Sequence, residues 1–359
     1  VTIVAPGTQG FASGDASRWT PWGSYLTAEE SWGTGSSKGR LFEVTNATTA
    51  GANGGNLVQR SIIPRVSHEG LAFDKDNNLY FIDELNGGSL YKYVSAKPGA
   101  ATGADFFAKG QTFVLKVGAG GQSEGNNGPA IAGSASWVAI TDANGGPLAG
   151  ISTVLADGTI DGRATADHAA VLGTGYNRPE DLEIQQAPSG RQILYFTTTD
   201  SDSDGNSANG RGRIYSLDLA SNDVRLAADS GTPDMATGLA VGDTWSNPDN
   251  LAIDANGNIY GIEDQDGGRA DIWFLQDIDR DGVAEAVGKW ASLSTPGAEP
   301  TGLYFDPFNP DVAYVNVQHP TSGNDLLVQI TAVPEPETCS MVLAGLGLLG
   351  ATARRRRRA

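Results

Sequence analysis

The chain has one cysteine, three histidines and two methionines in 359 residues. A single cysteine closes no internal disulfide and builds no thiolate metal cluster. Bases are scarce too: 24 Lys and Arg stand against 42 acids, a formal net charge of -18. That balance argues against nucleic acid as a partner, because phosphate backbones need clustered bases. The only basic run is Arg354 to Arg358. An acidic body favours divalent cations instead. Helical periodicity is missing from residues 1–332. No initiator methionine stands at position 1, so the expectation is a removed export signal or a fragment. At 39% hydrophobic the chain can still bury a core, which excludes disorder.

The sequence divides into a body, residues 1–332, and a tail, residues 333–359. Val333-Pro334-Glu335-Pro336-Glu337 is stiff and non-helical, Ser340 to Ala353 is apolar and rich in small residues, and five arginines follow. As a helix, about 16 residues from Thr338 would span roughly 24 Å. That is short of a ~30 Å hydrocarbon core, although arginines can reach the interface. The expectation is a short C-terminal membrane helix, its positive end in the cytoplasm and the acidic body outside. Pro-Glu-Pro, an apolar helix and an arginine cluster, in that order, resemble the PEP-CTERM sorting signal of Gram-negative exported proteins. The resemblance implies export to the cell envelope, cell surface or medium, membrane retention, later cleavage, and a sorting and processing machinery as partner.

In the body, short β-rich runs alternate with Gly, Asn, Asp and Pro clusters, which marks an all-β chain. One pattern recurs. Glu69-Gly70-Leu71-Ala72-Phe73-Asp74 leads through Asn77-Asn78 to Leu79-Tyr80-Phe81-Ile82-Asp83-Glu84. Asp249-Asn250-Leu251-Ala252-Ile253-Asp254 leads to Ile259-Tyr260-Gly261-Ile262-Glu263-Asp264. Glu180-Asp181-Leu182 and Thr301-Gly302-Leu303 open two further copies. The second-strand aromatics Tyr25, Tyr80, Trp137 (the poorest match), Tyr195, Tyr260 and Tyr314 are spaced by 55, 57, 58, 65 and 54 residues. A repeat of that length is one four-stranded blade, so six anchors predict a six-bladed β-propeller. A β-sandwich is the plainer alternative.

The same repeat carries the acids. Glu69, Glu180 and Asp249 hold equivalent strand starts, and Thr301 takes that place in the last copy. Asp83-Glu84 and Glu263-Asp264 are equivalent near the end of the next strand, with Glu29-Glu30 in or beside the same slot. Converging carboxylates repel and raise one another's pKa unless a cation joins them. Oxygen donors with few histidines favour Ca²⁺, Mg²⁺ or a hard iron over zinc. Asn250, beside Asp249, is a further candidate ligand. Solvated blade-edge acids are the bland alternative.

Asp277-x-Asp279-x-Asp281-Gly282 has the spacing of an oxygen-lined calcium turn, with Glu285 as a further ligand. Asp200-x-Asp202-x-Asp204-Gly205-Asn206 is similar. Exposed Asx turns would look the same. Two G-x-S-x-G matches, at Gly35–Gly39 and Gly121–Gly125, show no strand-then-helix elbow. His319 stands near the end of the last copy's second strand and is a catalytic candidate. His68 adjoins Glu69, and His168 has no readable context.

Thr20-Pro21-Trp22-Gly23-Ser24-Tyr25-Leu26-Thr27-Ala28-Glu29-Glu30 resembles the signature T-P-W-G-T-x-L-T-C-E-E of PhoX-type alkaline phosphatases. Ser67-His68-Glu69-Gly70 resembles that family's S-H-E-G, and Arg178-Pro179-Glu180 its R-P-E. Pro248-Asp249-Asn250-Leu251 and Gln318-His319-Pro320 have counterparts as well, so the likeness runs from about residue 18 to about 325. It implies a secreted phosphomonoesterase, a six-bladed propeller and a mixed calcium and iron cluster in the channel. Carried over by position, Glu29, Glu30, Glu69, Glu180 and Glu263 are metal ligands, and Arg178 contacts the substrate phosphate. The signature's cysteine, an iron ligand in the family, is Ala28 here. Alanine has no donor atom, so calcium becomes the leading cofactor and iron the second.

The function expected is an exported monomeric phosphatase acting on small phosphorylated substrates at a carboxylate-held calcium cluster. The alternatives are a non-catalytic, calcium-stabilised propeller that binds glycans or proteins, or a lactonase-like hydrolase.

Overall fold

The computed structural model describes residues 2–5, 7–31, 36–52, 54–125, 128–187, 189–199, 211–264, 269–320 and 323–332. The tail, the Asp200–Asn206 loop and Gly35 lie outside these residues. No described helix is long and apolar enough to cross a membrane.

The fold is all-β. Unit one is the sheet β1 (Gly14–Trp19), β2 (Tyr25–Glu29), β3 (Leu41–Val44) and β4 (Leu57–Gln59). Unit two comprises β5 (His68–Phe73), β6 (Leu79–Asp83), β7 (Leu90–Ser95), the short helix α1 (Gly103–Phe106) and β8 (Gly110–Val117). A further strand, β9 (Gly133–Ala139), pairs with β8. The hairpin β10 (Thr153–Val154) and β11 (Ile160–Asp161) and the helix α2 (Gly162–Ala166) come next. Unit three is β12 (Pro179–Gln186), β13 (Gln192–Thr198), β14 (Arg213–Asp218) and β15 (Asp223–Ala228). Unit four is β16 (Pro248–Ile253), β17 (Ile259–Glu263), β18 (Asp271–Gln276) and β19 (Ala286–Ser292). Unit five has three strands, β20 (Glu299–Phe305), β21 (Val312–Gln318) and β22 (Leu326–Thr331).

Within each unit neighbouring strands pair antiparallel, as a meander. The innermost strands pack in series, β1 on β5, β5 on β12, β12 on β16 and β16 on β20. Separate apolar cores fill the boundaries between successive units: Leu26 and Phe81, Ile82 and Phe196, Trp245 and Trp273, Ile262 and Leu303 are representative. This is a propeller-like arrangement. Five such units are counted among the described residues. The Trp137 anchor lies on β9, which joins the sheet of unit two and bridges to β15. Residues 140–175 form no sheet of four and instead carry β10, β11 and α2.

The recurring aromatic has a local cause. In the β5–β6 turn, Asp74 accepts from the backbone N–H groups of Asp76 and Asn78, from Asn78 Nδ2 and from Tyr80 Oη. Asp254 does the same with Asn256, Asn258 and Tyr260 in the β16–β17 turn. An Asx turn and the tyrosine after it therefore form one hydrogen-bonded cap.

Candidate metal centre

Each unit's first strand carries a β-bulge. The register slips between Gly14 and Ser17, His68 and Leu71, Pro179 and Leu182, and Pro248 and Asn250 in the first four units. The residues inside those slips include Asp15, Glu69, Glu180 and Asp249. A bulge re-aims a side chain that the pleat would otherwise place in line with its neighbours. Glu69, Glu180 and Asp249 each bring a carboxylate oxygen within 4.8 Å of the others. Asp15 was missed from sequence because Ser17 stands where the other copies have leucine.

A backbone latch sets the strand ends. Glu30 N–H donates to Ser13 O, Glu84 N–H to Ser67 O, Thr199 N–H to Arg178 O and Asp264 N–H to Asn247 O, at 2.8–3.0 Å. Glu30, Glu84, Thr199 and Asp264 are thus equivalent, and three of the four are acids. The residues just before them face the other way. Glu29 is fully buried and held by Arg40 (Nε to Oε2 2.7 Å, Nη2 to Oε1 2.6 Å) and by Ala12 N–H. Asp83 accepts Ser67 N–H at 2.9 Å. Glu263 accepts Ser246 N–H, Asp271 N–H and Trp273 Nε1. Alternation along a strand explains the division: successive side chains point to opposite faces. The sequence grouped both members of each pair as ligands. The structure turns Glu29, Asp83 and Glu263 to protein donors and sets Glu30, Glu84 and Asp264 near the bulge acids, Glu84 also pairing with Arg178.

Asn250 is also used otherwise. Its Oδ1 accepts Thr301 Oγ1 at 2.6 Å and Gly302 N–H at 2.9 Å, tying unit four to unit five. Asp181, its equivalent, accepts Leu251 N–H at 3.0 Å.

The electrostatics are those of crowded carboxylates. Burial, then Asp15 and Glu180, drives Glu69 well above its ordinary range. Asp249 is raised well above its range by burial and by Glu180 and Asp264. Glu180 is pushed up to about 8 by burial, against the pull of Arg178. Glu84 is pushed up to about 10 by burial and Glu180. Glu299, the second residue missed from sequence, rises to about 7 through burial and Asp264. Among the described residues, Oε2 of Glu69 and of Glu84 is buried without a hydrogen-bond partner. Orphaned oxygens within a crowd of carboxylates fit a hard cation.

Arg178 is the cation inside this ring. Its Nη2 lies 2.6 Å from Glu84 Oε1 and 3.2 Å from Glu180 Oε1. Its φ of 40° is left-handed, and Pro179 follows. That conformation is costly for a non-glycine residue and persists where the surroundings fix it. His319 is mostly exposed at the rim, with Nε2 4.0 Å from Glu299 Oε2. Ala28, on β2, is fully buried in the core between units one and two.

His68 turns away from the acids. It is fully buried, and burial with the Arg163 charge pushes its imidazole down to about 3. Neither ring nitrogen has a partner among the described residues.

The second acidic cluster lies in the β18–β19 turn. Asp277, Asp279 and Glu285 converge there. Asp281 does not join them, because its Oδ2 pairs with Arg225 at 2.8 Å. Asp277 is buried and accepts Tyr195 Oη and Gly282 N–H, both at 2.9 Å. The Gly121–Gly125 match is structural: Glu124 is buried and accepts Tyr215 Oη and Asn177 N–H.

The family model of alkaline phosphatase PhoX matches residues 9–321. The chain belongs to the PhoX alkaline phosphatase family. The PEP-CTERM protein-sorting motif matches residues 332–358. Among solved structures, Pseudomonas fluorescens PhoX in complex with vanadate, a transition state analogue, is similar at 21% identity and TM-score 0.61. That match covers 89% of this chain and 69% of the other, and at this identity it speaks for the fold alone. A PQQ-bound aldose sugar dehydrogenase from Streptomyces coelicolor is more distant, at 12% identity and TM-score 0.42 over 91% and 83% of the two chains. No curated protein matches. Set on the PhoX family, the bulge acids, Glu84 and Arg178 form one candidate centre, and the family is one of phosphatases.

Proposed function

We propose that the protein is an exported, metal-dependent phosphatase that hydrolyses small phosphomonoesters at a calcium centre, with iron as the second candidate ion. The observation that carries this reading is the convergence of Glu69, Glu180 and Asp249 from three different units, with Arg178 between the carboxylates. Asp15, Glu30, Glu84, Asp264 and Glu299 are further candidate ligands in the same ring. A bound hard cation would neutralise phosphoryl oxygens and sharpen a water molecule as nucleophile.

The chain's own residues do the rest. As the metal-free acids ionise they repel a phosphate dianion, and a bound cation reverses that field, so substrate affinity depends on the metal. Arg178 presents a planar donor fork suited to two phosphate oxygens. Its latched, strained backbone and its contacts with Glu84 and Glu180 hold that fork in place. His319, at the rim beside Glu299, is the candidate proton donor to the departing alkoxide oxygen. The PEP-CTERM motif supports export and sorting to the envelope of a Gram-negative bacterium, with the acidic body outside.

Ala28 favours a second reading, a calcium-stabilised propeller without turnover, because a buried methyl replaces the family's donor. The two are separated by assaying the protein on p-nitrophenyl phosphate with calcium, with calcium plus iron, and with a chelator. Turnover that the chelator abolishes supports the phosphatase. Calcium binding with no turnover in any metal condition leaves only the second reading.

A further inference from the structure

Ser31, Ser67 and Asp83 belong to three separate chain segments, and each lies one or two residues from a channel acid, Glu30, Glu69 and Glu84. They form one junction. Ser31 N–H donates to Ser67 Oγ at 2.9 Å, Ser67 N–H to Asp83 Oδ1 at 2.9 Å, and Glu84 N–H to Ser67 O at 2.9 Å. Ser67 and Asp83 are buried to within about one hundredth of their surface, and Ser31 is buried too.

A fourth group closes the junction from outside the repeats. Arg163, on α2, is 3% exposed, and its Nη1 donates to Ser31 O at 2.9 Å. α2 is pinned by its own contacts: Gly162 N–H donates to Arg65 O, and Arg65 N–H to Ile160 O. A Cβ at Gly162 would come within 2.7 Å of Val66 Cγ1 and 3.1 Å of Arg65 O. Glycine at 162 thus permits the approach that delivers Arg163 to Ser31.

We propose that Arg163 is a positioning residue for the metal centre, fixing through Ser31 and Ser67 the mutual spacing of Glu30, Glu69 and Glu84. This rests on the reading of those acids as ligands. A buried arginine sets a distance that a serine-to-serine bond alone leaves soft, because its planar donor group stands on a long stem rooted in the first turn of α2. Groups that hold ligands in place change metal affinity about 10- to 100-fold when removed.

The test is calcium titration of the full chain by calorimetry, in wild type, Arg163→Met, Arg163→Lys and Ser67→Ala, each checked for native circular dichroism. Arg163→Met is expected to weaken calcium binding about tenfold or more. Arg163→Lys, which keeps a donor near Ser31 O, is expected to recover part of that loss. If Arg163→Met does not fold, Ser67→Ala and Arg163→Lys carry the comparison, both expected to be weaker than wild type. A folded Arg163→Met with wild-type affinity overturns the inference while leaving the metal reading intact, and so does wild-type affinity in both other variants. Absence of calcium binding by the wild type overturns both.

Discussion

Glu69 of unit two and Asp249 of unit four place carboxylate oxygens within 4.8 Å of each other, although 180 residues of chain separate them. Each sits in the bulge of its own innermost strand, with Glu180 of unit three as the third member. An ion there would touch three units at once. At a hundredfold excess over Kd, such an ion adds about 2.7 kcal/mol to stability. Calcium is therefore expected to raise the melting temperature, and Glu180→Gln to remove most of that rise. Differential scanning calorimetry with calcium and with a chelator reads both. A chelator-insensitive melting temperature in the wild type would count against the centre.

The metal-free protein should lose stability as pH rises. Glu299 and Asp83 are raised to about 7, Glu180 to about 8 and Glu84 to about 10, each chiefly by burial. A carboxyl whose folded pKa lies above its unfolded value binds a proton more tightly in the native state. Its contribution is complete below the unfolded pKa, roughly 4, and is lost as pH climbs through the folded value. In chelator, the melting temperature is expected to fall from about pH 5 up to about pH 10. Calcium should flatten that slope, since it favours the ionised ligands. An equal slope with and without calcium would contradict the assignment.

Glu29 separates an anchor from a ligand. Its carboxylate is fully buried against Arg40, which grips both oxygens. Removing one partner of a buried pair strands the other, at a cost of about 3–5 kcal/mol. Glu29→Ala is expected to show that loss in urea unfolding equally with and without calcium. A loss seen only in calcium would return Glu29 to the ligand set.

Arg178→Lys probes the fork. Lysine keeps the charge but not the planar pair of donors. If Arg178 binds phosphate, the variant should raise KM for p-nitrophenyl phosphate about tenfold, with calcium affinity changed little. A normal KM would remove Arg178 from substrate contact.

Much of this was legible in the chain. The tyrosine period showed because Tyr80 and Tyr260 each cap the aspartate of their own turn, so selection for the turn also keeps the ring. Glu69, Glu180 and Asp249 were legible because a leucine follows each by two residues. What hid Asp15 was Ser17 in that leucine's place. What hid Glu299 was its place two residues before the acid slot, where other units have Ser13, Ser67, Arg178 and Asn247. Adjacent acids such as Asp83-Glu84 could not be sorted, because alternation says they diverge but not which one meets the channel. Trp137 fits the period poorly because its strand, β9, pairs with β8 of unit two and bridges to β15. α2 and Arg163 left no periodic trace at all, since five residues are too few to show helical spacing.

Three sideways ties between units sit at the inner-strand bulges. Asp181 holds Leu251, and Asn250 holds Gly302, while Gly70 leaves room for the backbone of Leu182, a Cβ there coming within 2.5 Å of its nitrogen. In these three contacts a unit seats its successor, while Gln192 Oε1 of unit three reaches back to accept Lys75 N–H of unit two at 3.1 Å. Damage at Asn250 should loosen the seam to the last sheet, and damage at Gly70 the seam between units two and three. A lesion at one inner-strand bulge is thereby passed across the seam to the neighbouring sheet.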